Sequence, residues 1–226
     1  MNSWGTVADW FVVLGTLVLA AVAIFQETIR GWFYHPSFHV SIKTEPPDCV
    51  AVPLYSPDGK LVVNSIYLRL WVENVGKATA RNVEVFANSL RLKRADDTWE
   101  RVSAFPPMNL KWSNGGNVYF PRISPGMGKH CDVGHIADPD LRQLINEYSP
   151  RLNLDDKQTS LALELIFPPN HRGHIIGPGE YQLDILVAAE NAHPIKRTIL
   201  ISLRGTWYPD ESKMLRDGVG ASMVAT

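Results

Sequence analysis

The sequence has little excess charge, because 22 basic and 23 acidic residues give 226 residues a formal net charge of −1. No run of Lys or Arg is longer than two residues, so the electrostatic footprint of a nucleic-acid-binding protein is missing. Only two cysteines occur, Cys49 and Cys131, which are too few for a disulfide framework and wrongly spaced for a zinc ribbon. We therefore expect neither a nucleic-acid partner nor a fold held together by disulfides.

The sequence motifs of common enzyme classes are also missing. There is no G-x-S-x-G nucleophile elbow and no H-E-x-x-H zinc motif. Residues 124–129, Ser-Pro-Gly-Met-Gly-Lys, come nearest to a phosphate-binding loop, but they lack its first glycine and the Ser or Thr after the lysine. We interpret this segment as a turn between strands, and we expect a protein that is not an enzyme and has no cofactor.

One long apolar segment is present near the N-terminus. Trp10–Phe25 contain no charge and no proline, and as a helix they cover roughly 24 Å. A hydrocarbon core needs about 30 Å, so we expect the helix to include residues 5–8 as well. A core helix would have a polar stripe, and a signal peptide would have Lys or Arg before the apolar run; this segment has neither. The sequence predicts a retained transmembrane helix within residues 1–30, and cleavage near Ala21-Val22-Ala23 is the alternative.

Charge asymmetry around this helix predicts its orientation. No Lys or Arg precedes it, whereas Arg30 and Lys43 follow it. The positive-inside rule then places the rest of the chain in the cytoplasm, a reducing compartment in which free cysteines are common. Thr16, Ala20 and Ala23 form a face of small residues through which the helix could pair with a second copy. We therefore expect a single-pass inner-membrane protein that contacts the lipid bilayer, with self-association as one further alternative.

Strand patterns dominate residues 38–208, which follow a juxtamembrane neck at residues 31–37. In Leu61–Glu73 the apolar residues alternate and share one face: Ile66, Leu68, Leu70 and Val72. Leu161–Phe167 and Lys196–Leu203 alternate in the same way, which is typical of antiparallel strands with one buried face. Residues 209–226 are predicted to form a short helix capped by Asp210 and then a mobile tail.

Two segments resemble bacterial immunoglobulin-like domains of the CARDB type. In residues 66–88 a strand is followed by the turn Asn74-Val75-Gly76, by small residues and by a strand with a V-x-V pattern. In residues 177–205, Gly177–Val187 looks like the P-G-x-Y-x-L-x-V strand near the end of those domains, and a second strand follows it. The resemblance implies an immunoglobulin-like antiparallel β-sandwich, and it implies nothing about function.

The middle of the predicted sandwich contains one expected helix. Asp138 is a good N-cap, Pro139 suits the first helical position, and Asp140 suits the positive end of a helix. The pattern predicts a short inserted helix that ends near Tyr148. The predicted fold is therefore mainly β, with one inserted helix and one N-terminal transmembrane helix.

The candidate metal-site residues fall in two clusters, one in a strand and one in a loop: His130, Cys131 and His135, and then His171 and His174. In an extended strand, Cys131 and Val133 share one face while His130 and Asp132 share the other, so one strand cannot direct all of them at one ion. We predict that Cys131 is a buried free cysteine and that the histidines have structural or surface roles. A joint metal or nucleophile site is the alternative.

These features lead to one hypothesis and two alternatives. The hypothesis is a membrane-anchored β-sandwich that binds an unknown protein or small-molecule ligand. Its most specific form is a bacterial membrane effector or sensor accessory, as in antiviral defence systems, that acts by helix oligomerisation or bilayer perturbation. The alternatives are an exported envelope protein with a role in adhesion or assembly, and a metal-dependent enzyme that uses the two His/Cys clusters. Topology and metal content would distinguish them.

Overall fold

The structure is a computed structural model that describes residues 6–103, 105–145, 147, 149 and 151–225, and their side chains except those of residues 27–32 and 143. It divides into two units, Met1–His35 and Pro36–Thr226. We call the second unit the β domain. Each unit is described by itself below.

Helix α1, Val7–Phe33, makes up the first unit. Its segment Val7–Gln26 has a mean hydropathy of 2.3, and none of it is buried. One helix is therefore long and apolar enough to span a membrane, although a signal sequence would meet the same criteria. Residue 5, included in the predicted span, lies outside the described residues. The helix runs to Phe33, so it takes up part of the predicted neck and leaves residues 34–37 before the first strand.

Two antiparallel sheets make up the β domain, which confirms the mainly β class. The first sheet has seven strands: β1 (Phe38–Ser41), β2 (Cys49–Tyr55), β3 (Leu61–Asn74), β7 (Lys111–Trp112), β9 (Gly128–Ala137), β10 (Leu161–Leu163) and β11 (Ile175–Ile176). The second sheet also has seven: β4 (Ala80–Lys93), β5 (Trp99–Arg101), β6 (Met108–Asn109), β8 (Phe120–Ile123), β12 (Gly179–Ala189), β13 (Ala192–Leu203) and β14 (Val219–Met223).

Each sheet is organised around one or two long strands. In the first, the order is β1-β3-β9-β10-β11, with β2 also paired to β3 and β7 to β9. In the second, the order is β14-β13-β12-β4-β5, with β6 and β8 also paired to β4. The strand at Gly177–Val187 and the one that follows it, predicted from the sequence, pair as the β12–β13 hairpin, with Leu183 opposite Ile199. Both sheets contribute to one hydrophobic core, where Leu68, Leu70 and Ile185 are fully buried, as their alternation predicted.

The predicted inserted helix is much shorter than expected. Asp138 does accept a hydrogen bond from the Asp140 amide, at 3.1 Å, but among the residues of this segment that the structure describes only Arg142–Ile145 are helical, as a 3₁₀ turn. The buried Arg142 donates to the Gln158 carbonyl at 2.6 Å. This tertiary contact fixes the segment and overrides the capping signal, while Tyr148, the predicted end, lies outside the described residues.

The prediction of a mobile tail at residues 221–226 is wrong for residues 221–223, which belong to β14, Val219–Met223, beside β13. The Thr44 hydroxyl accepts from the Ala221 amide at 2.8 Å and donates to its carbonyl at 2.9 Å, so it covers part of this sheet edge. Asp210 caps the short helix α2, Glu211–Lys213, as predicted. A π-helical turn, Met214–Gly218, then connects it to β14.

The strand predicted at Leu161–Phe167 is also too long. Strand β10 ends at Leu163, although Leu165 still forms an isolated bridge with Leu110 and is buried. Phe167, predicted to face the core with them, is 81% exposed. The two prolines that follow, Pro168 and Pro169, cannot donate to a ladder, which is a physical reason for the chain to leave the sheet here.

Candidate functional site

Polar and aromatic side chains of β3 and β9 lie opposite each other on the outer face of the first sheet, which we call the polar face. Three register pairs define it: Tyr67 with His135, Arg69 with Asp132, and Trp71 with His130. Cys131 lies on the opposite side, fully buried in the core, where burial raises the pKa of its thiol well above the ordinary value. The prediction that Cys131 is a buried free cysteine is therefore confirmed.

A β-bulge in β9 brings His135 to the polar face. Between two successive pairs, β9 has one residue more than β3, and the extra residue is Val133. Strict alternation from His130 would turn His135 toward the core, and the extra residue turns it back. Gly134 lets β10 approach closely, because a Cβ there would lie 2.6 Å from the Ala162 carbonyl oxygen. A prediction from sequence alternation alone therefore puts His135 on the wrong face of the sheet.

Around His135 lies a buried group of charges, which we call the ionic cluster. The ring is 6% exposed, with Nε2 2.5 Å from a Glu147 oxygen and Nδ1 2.8 Å from a Glu164 oxygen. Neither ring nitrogen has the angles of a good hydrogen bond, so these contacts are ion pairs. Lys111 Nζ lies 2.7 Å from Glu164, and the Tyr67 hydroxyl donates to it at 3.3 Å.

The cluster holds His135 and Glu164 in their charged forms. Burial by itself would lower the pKa of His135, but Glu147 and Glu164 outweigh it and raise the pKa to about 9. Burial by itself would raise the pKa of Glu164, but His135 and Lys111 outweigh it and lower the pKa to about 2. At neutral pH the ring is therefore an imidazolium ion beside carboxylates. Buried ion pairs are often no more stabilising than apolar residues of the same size, so the cluster is not by itself evidence of high stability.

A cleft of about 430 Å³ on the polar face is centred on Trp71, and we call it the Trp71 cleft. The described side chains that share its lining include no carboxylate: Arg69, Ser113, Asn114, Phe120, Lys129 and His130. The Trp71 ring meets His130 edge-on, with 4.8 Å between ring centroids. It also lies directly on Gly128. An added Cβ there would overlap the ring, so a glycine at this position leaves the space that the indole occupies.

The lining of the Trp71 cleft contains one cation without an ion pair among the described residues. Two of its basic side chains are paired with carboxylates outside the lining: Arg69 Nε with Asp132 at 3.4 Å, and His130 Nε2 with Asp48 at 3.0 Å. Lys129 Nζ lies 5.2 Å from the centroid of the Phe120 ring and has no ion pair within the described part of the chain. An exposed cation thus lies beside aromatic rings, a combination that suits a planar ligand with negative charge.

A second cleft, of about 390 Å³, lies between Glu147 and the loop at residues 168–174, and we call it the His174 cleft. His174 is 7% exposed, and its Nδ1 is buried without a hydrogen-bond partner among the residues described. Burial, followed by the charges of Arg172 and His171, lowers the pKa of His174 to about 4. At neutral pH this cleft is therefore lined by an uncharged imidazole next to the ionic cluster.

The five predicted metal-site residues do not come together. His130 lines the Trp71 cleft, Cys131 is in the core, and His135 is in the ionic cluster. His174 lines the other cleft, and His171 Nδ1 accepts a hydrogen bond from the Gly173 amide at 3.0 Å. Within the described residues, no group of three or more His, Cys, Asp and Glu side chains is placed to hold a metal ion.

Several residues that build the polar face were not singled out from the sequence. On β3, the aromatic and basic residues Tyr67, Arg69 and Trp71 alternate with the buried leucines. This alternation of large polar or aromatic side chains is a sequence signal from which the polar face could have been predicted. No comparable signal exists for Glu147, since it reaches His135 from an irregular loop twelve residues further along the chain.

Comparison with protein-family models, with curated proteins and with solved structures finds no match to this chain.

Proposed function

We propose that the protein is a single-pass membrane protein whose β domain, an immunoglobulin-like sandwich, binds a ligand on the polar face. The observation that carries the proposal is the apolar helix Val7–Gln26, none of which is buried, next to a domain with its own complete core. Twenty helical residues cover about 30 Å, the thickness of a hydrocarbon core. Apolar side chains exposed along such a length are stable only in a lipid or protein environment.

The anchoring step is tested with the full chain and two arginines in the helix, Val13→Arg with Leu17→Arg. Both side chains are at least half exposed, so the substitutions do not disturb a packed core. We expect the natural chain to stay with the membrane pellet at alkaline pH and the variant to be extracted, because charged residues at mid-membrane are costly. Leu61→Arg, an equally exposed apolar position in the β domain, is the matched control and should stay in the pellet. Extraction of all three chains would overturn the anchor.

The cytoplasmic orientation is tested by thiol labelling of an Ala225→Cys variant in intact and lysed cells. Cys49 and Cys131 are fully buried, so the added cysteine at an exposed position supplies the signal. We expect a membrane-impermeant reagent to label it only after lysis. Labelling in intact cells would favour the exported envelope protein with a role in adhesion or assembly.

Ligand binding belongs, in this proposal, to the Trp71 cleft. Its volume lies within the range of small-molecule sites, and its aromatic and basic lining suits an anion that carries a planar ring. The probe is the nucleoside monophosphate AMP, titrated into the detergent-solubilised full chain. We expect saturable binding that weakens at least about tenfold in Trp71→Ala and Lys129→Ala. Trp99→Ala, a tryptophan on β5 in the other sheet, is the matched control. No saturable binding, or equal loss in the control, would remove this ligand class.

In its most specific form, the proposal is that ligand binding makes the helix oligomerise or perturb the bilayer, as expected of a bacterial membrane effector or sensor accessory. The small-residue face of the helix at Thr16, Ala20 and Ala23 supports helix pairing. Dye leakage from vesicles that contain the full chain should then rise on addition of ligand. Leakage that is independent of ligand would leave the anchor and the cleft but remove the effector role.

A further inference from the structure

One end of the β domain, which we call the proximal end, is where the chain enters from residues 34–37. Asn74 organises it and is fully buried. Its side-chain oxygen accepts from the Ser37 amide at 3.3 Å, and its side-chain nitrogen donates to the carbonyls of Ala78 and Ile123 at 2.8 and 2.9 Å. These bonds fix the start of β1, the turn after β3 and the end of β8 as one rigid surface.

Two apolar side chains project from this rigid surface. Val75 and Met127 are each 55% exposed. The Val75 amide donates to the Ser37 carbonyl at 2.8 Å, and the Asn74 amide donates to the Met127 carbonyl at 2.9 Å. Both side chains therefore belong to well-ordered turns, and their exposure is a fixed feature of the surface.

The proximal end also carries positive charge that is not neutralised. Arg81 and Arg122 are exposed and directly opposite each other in the β4–β8 pair. Directly opposed like charges on adjacent strands are destabilising. Within the described part of the chain neither guanidinium has an ion pair, and the neighbouring Glu190 accepts instead from the Asn82 side chain at 2.5 Å. Lys77, in the turn after β3, adds a third exposed cation.

The opposite end of the β domain provides a contrast. Tyr55 and Leu61 are as exposed there as the proximal apolar residues are. One of its cations, Lys60, lies 3.2 Å from an Asp58 oxygen, but Arg101 and Arg204 are exposed toward that end without an ion pair among the described residues. The proximal end is therefore distinguished by its directly opposed Arg81–Arg122 pair and by the short chain that joins it to α1.

The length of the connecting chain limits how far the proximal end can lie from a membrane. Helix α1 ends at Phe33 and β1 begins at Phe38. Five steps of at most about 3.6 Å give a reach of under about 20 Å. If Val7–Gln26 span the hydrocarbon core, residues 27–33 add about 10 Å of helix, so the start of β1 stays within about 30 Å of that core.

We propose that the proximal end is a contact surface for an anionic lipid bilayer. Val75 and Met127 enter the interfacial region, and Lys77, Arg81 and Arg122 bind lipid phosphate and carboxylate groups. Negative lipids then supply the counter-charge that the Arg81–Arg122 pair lacks in the protein. The inference rests on the proposed membrane anchor and adds the surface that the domain presents to the membrane.

The test uses the full chain in vesicles of phosphatidylcholine, with or without phosphatidylserine. A fluorophore is attached at Met127→Cys or, as the matched control at the far end of the 14-residue strand β3, at Leu61→Cys. That strand spans roughly 43 Å. The buried Cys49 and Cys131 do not compete for the label. A quencher on the lipid headgroup should quench position 127 strongly and position 61 weakly, and phosphatidylserine should increase the quenching at 127 only.

Equal quenching at both positions, or no effect of phosphatidylserine at 127, would overturn the contact surface. Alkaline extraction of the same vesicles separates this failure from failure of the anchor: a chain that resists extraction but shows equal quenching loses only the contact surface. A chain that is extracted loses both proposals.

A second pair of variants tests the role of charge. Arg81→Gln with Arg122→Gln should remove the effect of phosphatidylserine at position 127 without lowering the melting temperature, because two repelling exposed charges are lost. Lys60→Gln at the opposite end should leave the quenching unchanged. An undiminished phosphatidylserine effect in the double variant would contradict the proposed role of these arginines.

Discussion

The outer faces of the two sheets both carry ionic networks, but the networks differ in kind. On the second sheet, Asp184 accepts hydrogen bonds from Ser89, Arg91 and Thr198 at 2.7, 2.8 and 2.7 Å. Burial would raise the pKa of Asp184, but these donors outweigh it and lower the pKa. The network is partly exposed and every donor points at the carboxylate. These hydrogen bonds link neighbouring strands, and because the site is partly exposed, the desolvation free energy that they cost is small.

The ionic cluster of the first sheet is deeper and less well satisfied. His135 is almost fully buried between two carboxylates, and its ring nitrogens lack good hydrogen-bond angles. A buried imidazolium between carboxylates costs desolvation free energy that a partly exposed network does not. Loss of a charged partner should therefore be more costly in the ionic cluster than in the network around Asp184.

Glu164→Gln should have the largest effect, because it leaves His135 and Lys111 without their shared carboxylate. Breaking a buried ion pair in this way costs about 3–5 kcal/mol of unfolding free energy. Thermal melting of the full chain in detergent measures it, with the near-isosteric side chain controlling for packing. A loss below about 1 kcal/mol would show that the cluster is more solvated than its burial indicates.

The second prediction concerns pH. The pKa of His135 is raised from 6.5 to about 9, so its stabilisation is complete below pH 6.5 and is lost as pH rises toward 9. The pKa of His174 is lowered from 6.5 to about 4, so its stabilisation is complete above pH 6.5 and is lost as pH falls toward 4. Glu164, lowered from 4.5 to about 2, adds a further loss below pH 4.5. The melting temperature should therefore peak near pH 6.5.

Two variants test which residue causes the loss of stability on each side of that pH profile. His135→Gln should flatten the alkaline side and leave the acidic side, whereas His174→Gln should flatten the fall between pH 6.5 and 4. An unchanged alkaline side in His135→Gln would mean that His135 is not the group that titrates there.

Asp184→Asn should have a smaller effect, about 1 kcal/mol, because Asn keeps one acceptor and the site is partly exposed to solvent. Chemical unfolding of this variant beside Glu164→Gln compares the two faces directly. A larger loss for Asp184→Asn than for Glu164→Gln would reverse the comparison.

Lys129→Gln should have the smallest effect on stability, within about 0.5 kcal/mol, because the ammonium group is exposed and has no ion pair within the described residues. The same variant should weaken AMP binding in the Trp71 cleft. A variant that unfolds more readily but binds AMP normally would show that Lys129 has a structural role.

Local patterns predicted a good part of this fold. Leu68, Leu70, Leu183 and Ile199 follow a period of two that is strict enough to assign the buried face of each strand. The apolar run at Trp10–Phe25 predicted the N-terminal helix because that run is long and uninterrupted.

The candidate site was less predictable because it depends on contacts between distant segments. The position of His135 depends on a bulge of one residue, for which the isolated Gly134 is a sequence signal that does not fix the register. Glu147 reaches the ring from a loop and Glu164 from the residue just after β10. Strand β14 was missed because Gly220 and Ala221 have low strand preference and gain their conformation from the edge of β13.

Membrane anchoring is decided by the intact mass of the chain recovered from the membrane fraction of cells that express it. We expect a mass that still contains the helix Val7–Gln26, in a chain that alkaline treatment does not extract. A shorter chain that begins near Ile24, found in the soluble fraction, would contradict it and identify the helix as a cleaved signal sequence.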